Sequence, residues 1–424
     1  MNVLLIGSGG REHAMAWKIS QSPLLTKLYI APGNPGTALH GENISINPLD
    51  FHKVKDVVLT KSIDMVVVGP EDPLVKGIHD FFLSDEEIKQ IPVIGPDKSG
   101  ARLEGSKDFS KSFMLRHGIP TARYRSFVAS QMSEAVDFLN TLKPPYVLKA
   151  DGLAAGKGVV ICNELDEAQK SLKEFFEGKF GDAGSTVVIE EFLHGIELSV
   201  FILTDGKSYV ILPEAKDYKR IGEADTGLNT GGMGAVSPVP FASKEFMHRV
   251  KTRIVKPTID GLNAEGIDYK GFIFIGLMNV DGNPYVIEYN ARLGDPETQV
   301  VLPRLKTDLL KLLIDASKNE LSNSTIEFYP ETATAVILVS GGYPDSYEKG
   351  KPISGLQENP KALTFHAGTK VDEQHRLVTA GGRVLAAVGI SNSIKDALSL
   401  SYSNARSIAF DGKYFRSDIG QDLI

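Results

Sequence analysis

One cysteine, Cys162, stands among 424 residues, so neither a disulfide framework nor a cysteine-rich metal cage can form. The nine histidines are scattered and contain no HxxxH-type pair, which removes a common histidine spacing for metals. No apolar run approaches the roughly 20 residues of a membrane span. Basic residues are the minority, with 46 Lys and Arg against 53 Asp and Glu and a net charge of -7. A nucleic-acid partner would favour the opposite balance. The opening Met1-Asn2-Val3-Leu4-Leu5-Ile6-Gly7 is short and lacks a basic flank, so it reads as a first strand and not as a secretion signal. A Walker loop is missing too, since no glycine-rich turn ends in Gly-Lys-Ser/Thr before a helix. An ordinary soluble composition remains, 42% apolar and 23% charged. The expectation is a cytoplasmic, monomeric protein of about two to four domains.

What is present is concentrated in glycine-rich loops beside lysines. Val147-Leu148-Lys149-Ala150 reads as a strand ending in a lysine, and Asp151-Gly152-Leu153-Ala154-Ala155-Gly156-Lys157-Gly158 follows. Val159-Val160-Ile161 then resumes a strand. Small residues allow backbone N–H groups close to phosphate oxygens, and the lysines add point charges. The loop therefore reads as a flap between two strands, laid over a polyphosphate.

Residues 1 to about 100 alternate apolar runs (Val3–Ile6, Leu28–Ala31, Met65–Gly69, Val93–Gly95) with helical patterns (Glu12–Ser20, Phe51–Thr60, Leu74–Leu83). That alternation predicts a doubly wound parallel sheet with ligands at the strands' carboxyl ends. From about 120 to 192, four strands and two helices form a smaller unit. Two hairpins follow, turning at Asp205-Gly206 and Asp281-Gly282. Helices are expected at about 244–264, 297–319 and 393–407, and strands at Thr334–Val339 and Arg383–Val388.

Several constellations could carry chemistry. Gly7-Ser8-Gly9-Gly10-Arg11-Glu12 resembles a dinucleotide fingerprint with Glu12 in place of its third glycine. The second strand ends in Ala31-Pro32, without the acid that would hold a ribose diol. The turn suits an anion at a helix start, or is a plain strand–helix connection. Asn34 and Glu71 lie in Pro/Gly turns that form either a sugar-binding rim or simple connections. Lys149, in an apolar strand, needs an anion nearby, and Lys107 is its expected companion. Glu190 and Glu191 end a strand on opposite faces, with Leu193 and Glu197 beyond. They could hold an adenine and a ribose, or be a charged strand end.

Asp217-Tyr218-Lys219-Arg220 leads to Asn229-Thr230-Gly231-Gly232-Met233-Gly234, a long polar loop read as a substrate clamp. Lastly, Glu288-Tyr289-Asn290-Ala291-Arg292-Leu293-Gly294-Asp295 alternates so that Glu288, Asn290 and Arg292 share a face. Glu288 and Asn290 offer hard oxygens for Mg²⁺, and Arg292 can stabilise a transferred phosphoryl.

Taken in order, these segments resemble the ATP-grasp superfamily and, more closely, the phosphoribosylamine–glycine ligase family. The resemblance is carried by Gly7–Ala14, Ala31–Gly36, Gly69–Leu74, Leu103–Lys107, Lys149–Val159, Asn229–Pro238 and Arg292–Gln299. It continues through Phe365–Thr369 and Gly381–Val384 and spans essentially the whole chain. It implies an α/β ATP-grasp fold with an N-terminal substrate domain at 1–103, an ATP-grasp domain at 104–327 and a C-terminal domain at 328–424. Residues 120–193 would be a mobile nucleotide-clamping lobe.

The resemblance further implies ATP as co-substrate and a divalent ion, Mg²⁺ or Mn²⁺, on Glu288 and Asn290. Glycine and 5-phosphoribosylamine would be the other substrates. ATP ligands map onto Lys107, Lys149, Gly152, Gly156, Lys157, Gly158, Glu190, Glu191, Leu193 and Glu197, and catalysis onto Lys149 and Arg292. Substrate contacts map onto Gly9, Gly10, Arg11, Asn34, Glu71, Asp217, Lys219, Arg220, Asn229, Thr230, Gly231, Gly232, Met233 and Asp295. The chain departs from the family pattern twice. Tyr218 replaces a histidine in Asp-His-Lys-Arg, and Gly276 stands where many ATP-grasp enzymes have a first metal carboxylate, leaving Asp217 or Asp295 as substitutes. The alternative is another ATP-grasp carboxylate–amine ligase or a carboxylase.

Overall fold

The structure is a computed structural model describing residues 1–153, 158–356 and 362–424. Its first sheet is parallel throughout, in the order Glu42–Asn43, Lys27–Pro32, Asn2–Gly7, Met65–Val68, Val93–Ile94. The first strand lies in the middle because Val3, Leu4, Leu5 and Ile6 are all inaccessible to solvent. Leu4 and Ile6 feed one core and Val3 and Leu5 the other, as period two requires. The chain leaves that strand toward Lys27–Pro32 on one side and Met65–Val68 on the other. This switch point gathers the turns after Gly7 and Val68.

The small unit is an antiparallel sheet ordered Tyr124–Val128, Thr186–Glu191, Tyr146–Ala150, Val159–Cys162. It has a core of its own, with Phe127, Phe138, Leu148, Phe175 and Ile189. Beside it stands a second antiparallel sheet, ordered Tyr209–Ile211, Ile196–Thr204, Gly271–Val280, Asn283–Asn290. Its tight turn at Asp281 and Gly282 has φ of 49° and 81°, the double left-handed geometry that Asp-Gly favours.

The last sheet runs Lys216–Asp217, Gly234–Ser237, Thr332–Val339, Arg383–Ser391, Ala362–His366, with the helix Ile394–Ser407 packed on it. Two of its strands come from the segment read as a structureless loop. That segment also folds into a hairpin, Arg220–Gly222 against Thr226–Asn229. Its strands are short, polar and glycine-rich, so they lack the apolar alternation that betrays a strand. The helix expected at 297–319 is likewise two helices, Thr298–Arg304 and Leu309–Ser317. Pro303 lies in the last turn of the first, and Asp308 caps the second by accepting the Leu310 and Lys311 amides. The helical pattern near Leu74–Leu83 is divided at Gly77, whose φ of 88° interrupts the helix.

Candidate active site

The strand Tyr146–Ala150 sorts its side chains by face. Tyr146, Leu148 and Ala150 enter the small lobe's core, so Lys149 points the other way, where it is 5% exposed. Its ammonium lies 2.9 Å from Glu190 Oε1 and donates to the Ile287 carbonyl at 3.3 Å. The Glu190 contact falls outside hydrogen-bond geometry and is electrostatic. Lys111 completes the group, 2.8 Å from Glu190 Oε2 and donating to Thr121 Oγ1 at 2.7 Å. Burial pushes Lys111 down to about 8 although Glu190 pulls it up. Burial also pushes Glu190 up, but Lys111 and Lys149 more than offset it and hold the carboxyl below its ordinary value.

Lys107 opens the helix Lys107–Arg116, one turn from Lys111 and on the same face. It donates to the Gly152 carbonyl at 2.9 Å. Burial lowers its pKa, Glu288 opposes that, and the charge of Lys149 adds to it. The flap is pinned at its base, where Ala150 N–H donates to the Gly158 carbonyl at 2.8 Å. Gly156 and Lys157 lie outside the described residues. Glu191 points away from Glu190 and accepts the Arg123 amide at 2.8 Å. Leu193, half-buried, lies in the connection between the strand ending at Glu191 and the one starting at Ile196.

Across the cleft, Glu288 and Asn290 are half-buried at the end of Asn283–Asn290. Glu288 sits opposite Gly276, with a bulge beside the pair. A Cβ at Gly276 would lie 3.2 Å from Glu288 Cγ, so the glycine leaves room for that side chain. The strand ends at Asn290, so alternation does not place Arg292. Carboxylates do: Glu104 at 2.7 Å and Glu71 at 3.3 Å. Glu104 also accepts the Ala291 amide at 2.8 Å. Burial raises Glu104 to about 7 against the pull of Arg292.

A third group fills the cleft wall. Lys219 pairs with Glu197 at 2.9 Å, both side chains being more than a third accessible. Burial among protein groups lowers the Lys219 pKa, but Glu197, Asp217 and Glu288 drive it well above its ordinary value. Asp217 is raised, by burial first and then by Glu197 and Glu288 against Lys219. Glu297, 4% exposed, is raised to about 7 by burial and the charge of Asp217. Asp295 stands apart, held 3.4 Å from Arg383 and accepting from Gln299 at 2.8 Å.

Other expected contacts have their hydrogen-bonding groups engaged within the protein. Arg220 donates to the Gly227 carbonyl at 2.7 Å and pairs with Asn229 across the hairpin. Thr230 Oγ1 donates to the Lys219 carbonyl at 2.8 Å and accepts from Gly232 N–H at 2.9 Å. Gly231 N–H donates to the Tyr343 hydroxyl at 3.0 Å. Met233 is fully buried in the main core, so its side chain serves packing, not substrate contact.

Asn34 is consumed structurally. Its amide donates to the Ser8 and His366 carbonyls at 2.8 and 2.9 Å, and its oxygen accepts from Gly36 and Thr37. Arg11 is 7% exposed and donates to Glu12 Oε1 at 2.6 Å and the Leu293 carbonyl at 3.0 Å. Glu71 lies 3.8 Å from it. Glu12 also explains the missing third glycine. Its side chain folds back beneath the turns, accepting the Gly9 amide at 2.6 Å. A Cβ at either Gly7 or Gly69 would meet it at 2.3 Å. The helix carrying Arg11 comes so close to Gln299 that a Cβ at Gly10 would lie 2.5 Å from its amide nitrogen.

Spacing along the chain assigns no role to Lys111, Glu104, Glu297 or Glu12, although the last three lie in segments that carry the family resemblance. Lys111, one helical turn after Lys107, leaves the clearest trace. Among the described residues no three His, Cys, Asp or Glu side chains group into a metal cage. Glu288 and Asn290 nevertheless offer two hard oxygens beside the cations, which suits an ion that takes its other ligands from water and phosphate.

A small antiparallel lobe presents Lys149 across a cleft to a carboxylate-bearing strand of a second sheet, and comparisons with known proteins agree on what this is. Residues 105–298 match the phosphoribosylglycinamide synthetase ATP-grasp (A) domain. The fold is thus an ATP-grasp fold carrying an N-terminal doubly wound sheet, as expected. Residues 1–104 and 333–422 match the N and C domains of the same synthetase. A phosphoribosylamine–glycine ligase of Chlorobaculum tepidum is 47% identical over 99% of this chain and 99% of its own. One from Rhizobium meliloti is 46% identical, with coverages of 99% and 98%. The crystal structure of the Thermotoga maritima ligase superposes with a TM-score of 0.86 at 36% identity, over 99% of this chain and 100% of that one. The chain belongs to the phosphoribosylamine–glycine ligase family.

Proposed function

We propose that this protein joins glycine to 5-phosphoribosylamine at the expense of ATP, giving glycinamide ribonucleotide, ADP and phosphate in purine biosynthesis. Full-length identity of 47% to a ligase of that name supports the reaction. The observation that carries the site is the convergence of Lys107, Lys149 and Glu288 from three separate elements. The glycine carboxylate attacks the γ-phosphorus of ATP, forming glycyl phosphate and releasing ADP. The amine of phosphoribosylamine then attacks the acyl carbon, phosphate leaves, and the amine's proton passes to solvent. Such transfer asks mainly for positioning and charge neutralisation.

Lys107 and Lys149 would hold the phosphates under the 152–158 flap. Glu190, Leu193 and Glu197 would hold the nucleoside. Asp217, Lys219 and Arg292 would face the reacting carboxylate. A divalent ion on Glu288 and Asn290 would neutralise phosphate charge. The ribose phosphate falls to the Gly9–Arg11 turn, where a helix start and Arg11 supply positive potential. In this reading 1–103, 104–327 and 328–424 act as three units, with 120–193 closing over the nucleotide.

The test is ADP release with glycine and phosphoribosylamine together, against either alone and against bicarbonate or other amino acids. ADP release that requires both named substrates is the expected result. Release driven by bicarbonate or a different amino acid would move the protein to another ATP-grasp reaction. In the described residues no helix is long and apolar enough to cross a membrane, in keeping with small soluble substrates.

A further inference from the structure

The segment Lys216–Arg220 is extended, and its two faces meet different parts of the molecule. Asp217 and Lys219 turn to the cleft, among Glu197 and Glu288. Lys216 and Tyr218 turn the other way, onto the end of the chain. The Tyr218 hydroxyl donates to Asp422 Oδ1 at 2.5 Å, and Lys216 pairs with the same carboxylate. Tyr218 is only 3% exposed, with the Lys216 ammonium 4.7 Å from its ring centre.

The same tail grips the rest of the hairpin. Arg416, 1% exposed in its side chain, donates to Asp225 Oδ1 at 2.7 Å and to the Arg220 carbonyl at 3.1 Å. Asp418 steadies it at 2.8 Å and also accepts the Ala224 amide at 2.8 Å. The Tyr414 hydroxyl donates to the Ile221 carbonyl at 3.0 Å. The hairpin tip needs such support. Ala224 and Asp225 both sit in the left-handed region, at φ of 52° and 53°, which is strained for a non-glycine residue.

We propose that the C-terminal segment 414–422 is a positioning element for the ligation, with Asp422 and Arg416 setting where Asp217 and Lys219 stand in the cleft. It rests on the reading of that cleft given under Proposed function. Period two makes the coupling direct: any shift of Tyr218 on its face displaces its neighbours Asp217 and Lys219 on the other. The nucleotide lobe has a separate core and is outside this linkage, whereas Glu197, the nucleoside residue that Lys219 pairs with, lies within it. The tyrosine that departs from the family's clamp pattern is therefore one half of a latch.

The experiment uses the full chain with Tyr218→Phe, Asp422→Asn and the two combined. Each single change should lower kcat/KM for glycine and phosphoribosylamine about tenfold, the scale of losing a hydrogen bond to a charged group. KM for ATP should rise by a smaller factor than that, since Glu197 alone among the nucleotide contacts touches the latched segment. The double variant should be no worse than the worse single one, since both changes act on the same Tyr218–Asp422 contact and only Asp422→Asn also weakens the Lys216 pair. Hydrogen exchange of peptides spanning 216–230 should quicken in Asp422→Asn. Wild-type kcat/KM in both single variants, or a loss that falls equally on KM for ATP, would overturn the proposal. If the unaltered protein releases no ADP with this substrate pair, the reaction assignment fails. Exchange then decides the latch by itself, and unchanged protection of 216–230 overturns it.

Discussion

Replacing Glu297 with glutamine should stabilise the protein at pH 8 and leave it nearly unchanged at pH 4.5. Glu297 is 4% exposed and has the Ser199 hydroxyl 3.3 Å from Oε1. Burial and Asp217 raise its pKa from 4.5 to about 7. The folded state then holds its proton between pH 4.5 and 7 while the unfolded state has lost it. Stability from this group is complete below pH 4.5 and is lost as pH rises through 7. A gap of about 2.5 pKa units corresponds to about 3 kcal/mol at most.

Glutamine keeps the shape and the hydroxyl contact but carries no charge, so that pH dependence should vanish. At roughly 1–2 °C per kcal/mol for a chain of this length, the variant should melt about 3–6 °C higher at pH 8. Thermal unfolding of both proteins across pH 4.5–8 measures the difference. A difference in Tm that does not grow with pH, or that is negative and widens as pH rises, would refute the account. Activity is expected to fall in the same variant, because an uncompensated buried carboxylate beside the cleft costs stability that only function would retain.

Three further outcomes follow from the same geometry. Lys149→Ala should lower turnover at least about 10²-fold, as removal of one charge stabiliser does; near-normal kcat would take the lysine out of the chemistry. Glu288→Gln should weaken the response to Mg²⁺, read as a higher Mg²⁺ concentration for half-maximal ADP release, and an unchanged titration would move the metal elsewhere. Glu190→Ala leaves Lys111 and Lys149 facing each other in a buried site, so stability should drop by about 3–5 kcal/mol, measured by denaturant unfolding. A drop below about 1 kcal/mol would mean that water or a shifted lysine replaces the carboxylate.

Local pattern along the chain makes much of this protein legible. The unbroken apolar runs at Val3–Ile6 and Met65–Val68 can only be strands covered on both faces, which implies a parallel sheet. Asp281-Gly282 marks its hairpin because the turn needs two left-handed residues. Lys149 is identifiable because an ammonium in an apolar strand demands an anion. The helix break at Pro303–Asp308 and the strands within 216–237 are hidden, the first by continued apolar spacing and the second by its absence.

The sequence by itself determined the strand and helix alphabet, the flap and the lysines and carboxylates available for phosphate chemistry, since these follow from spacing along the chain. Only the tertiary structure decided which of them meet. Glu190 shared between Lys111 and Lys149, Glu12 folded beneath Gly69, Asn34 spent on the His366 carbonyl, and Tyr218 fastened to Asp422 are all contacts between distant segments. Period and propensity describe a residue's nearest neighbours in the chain. The partner of a buried charge is chosen by how separately formed layers close on one another, and a linear pattern carries no direct record of that closure.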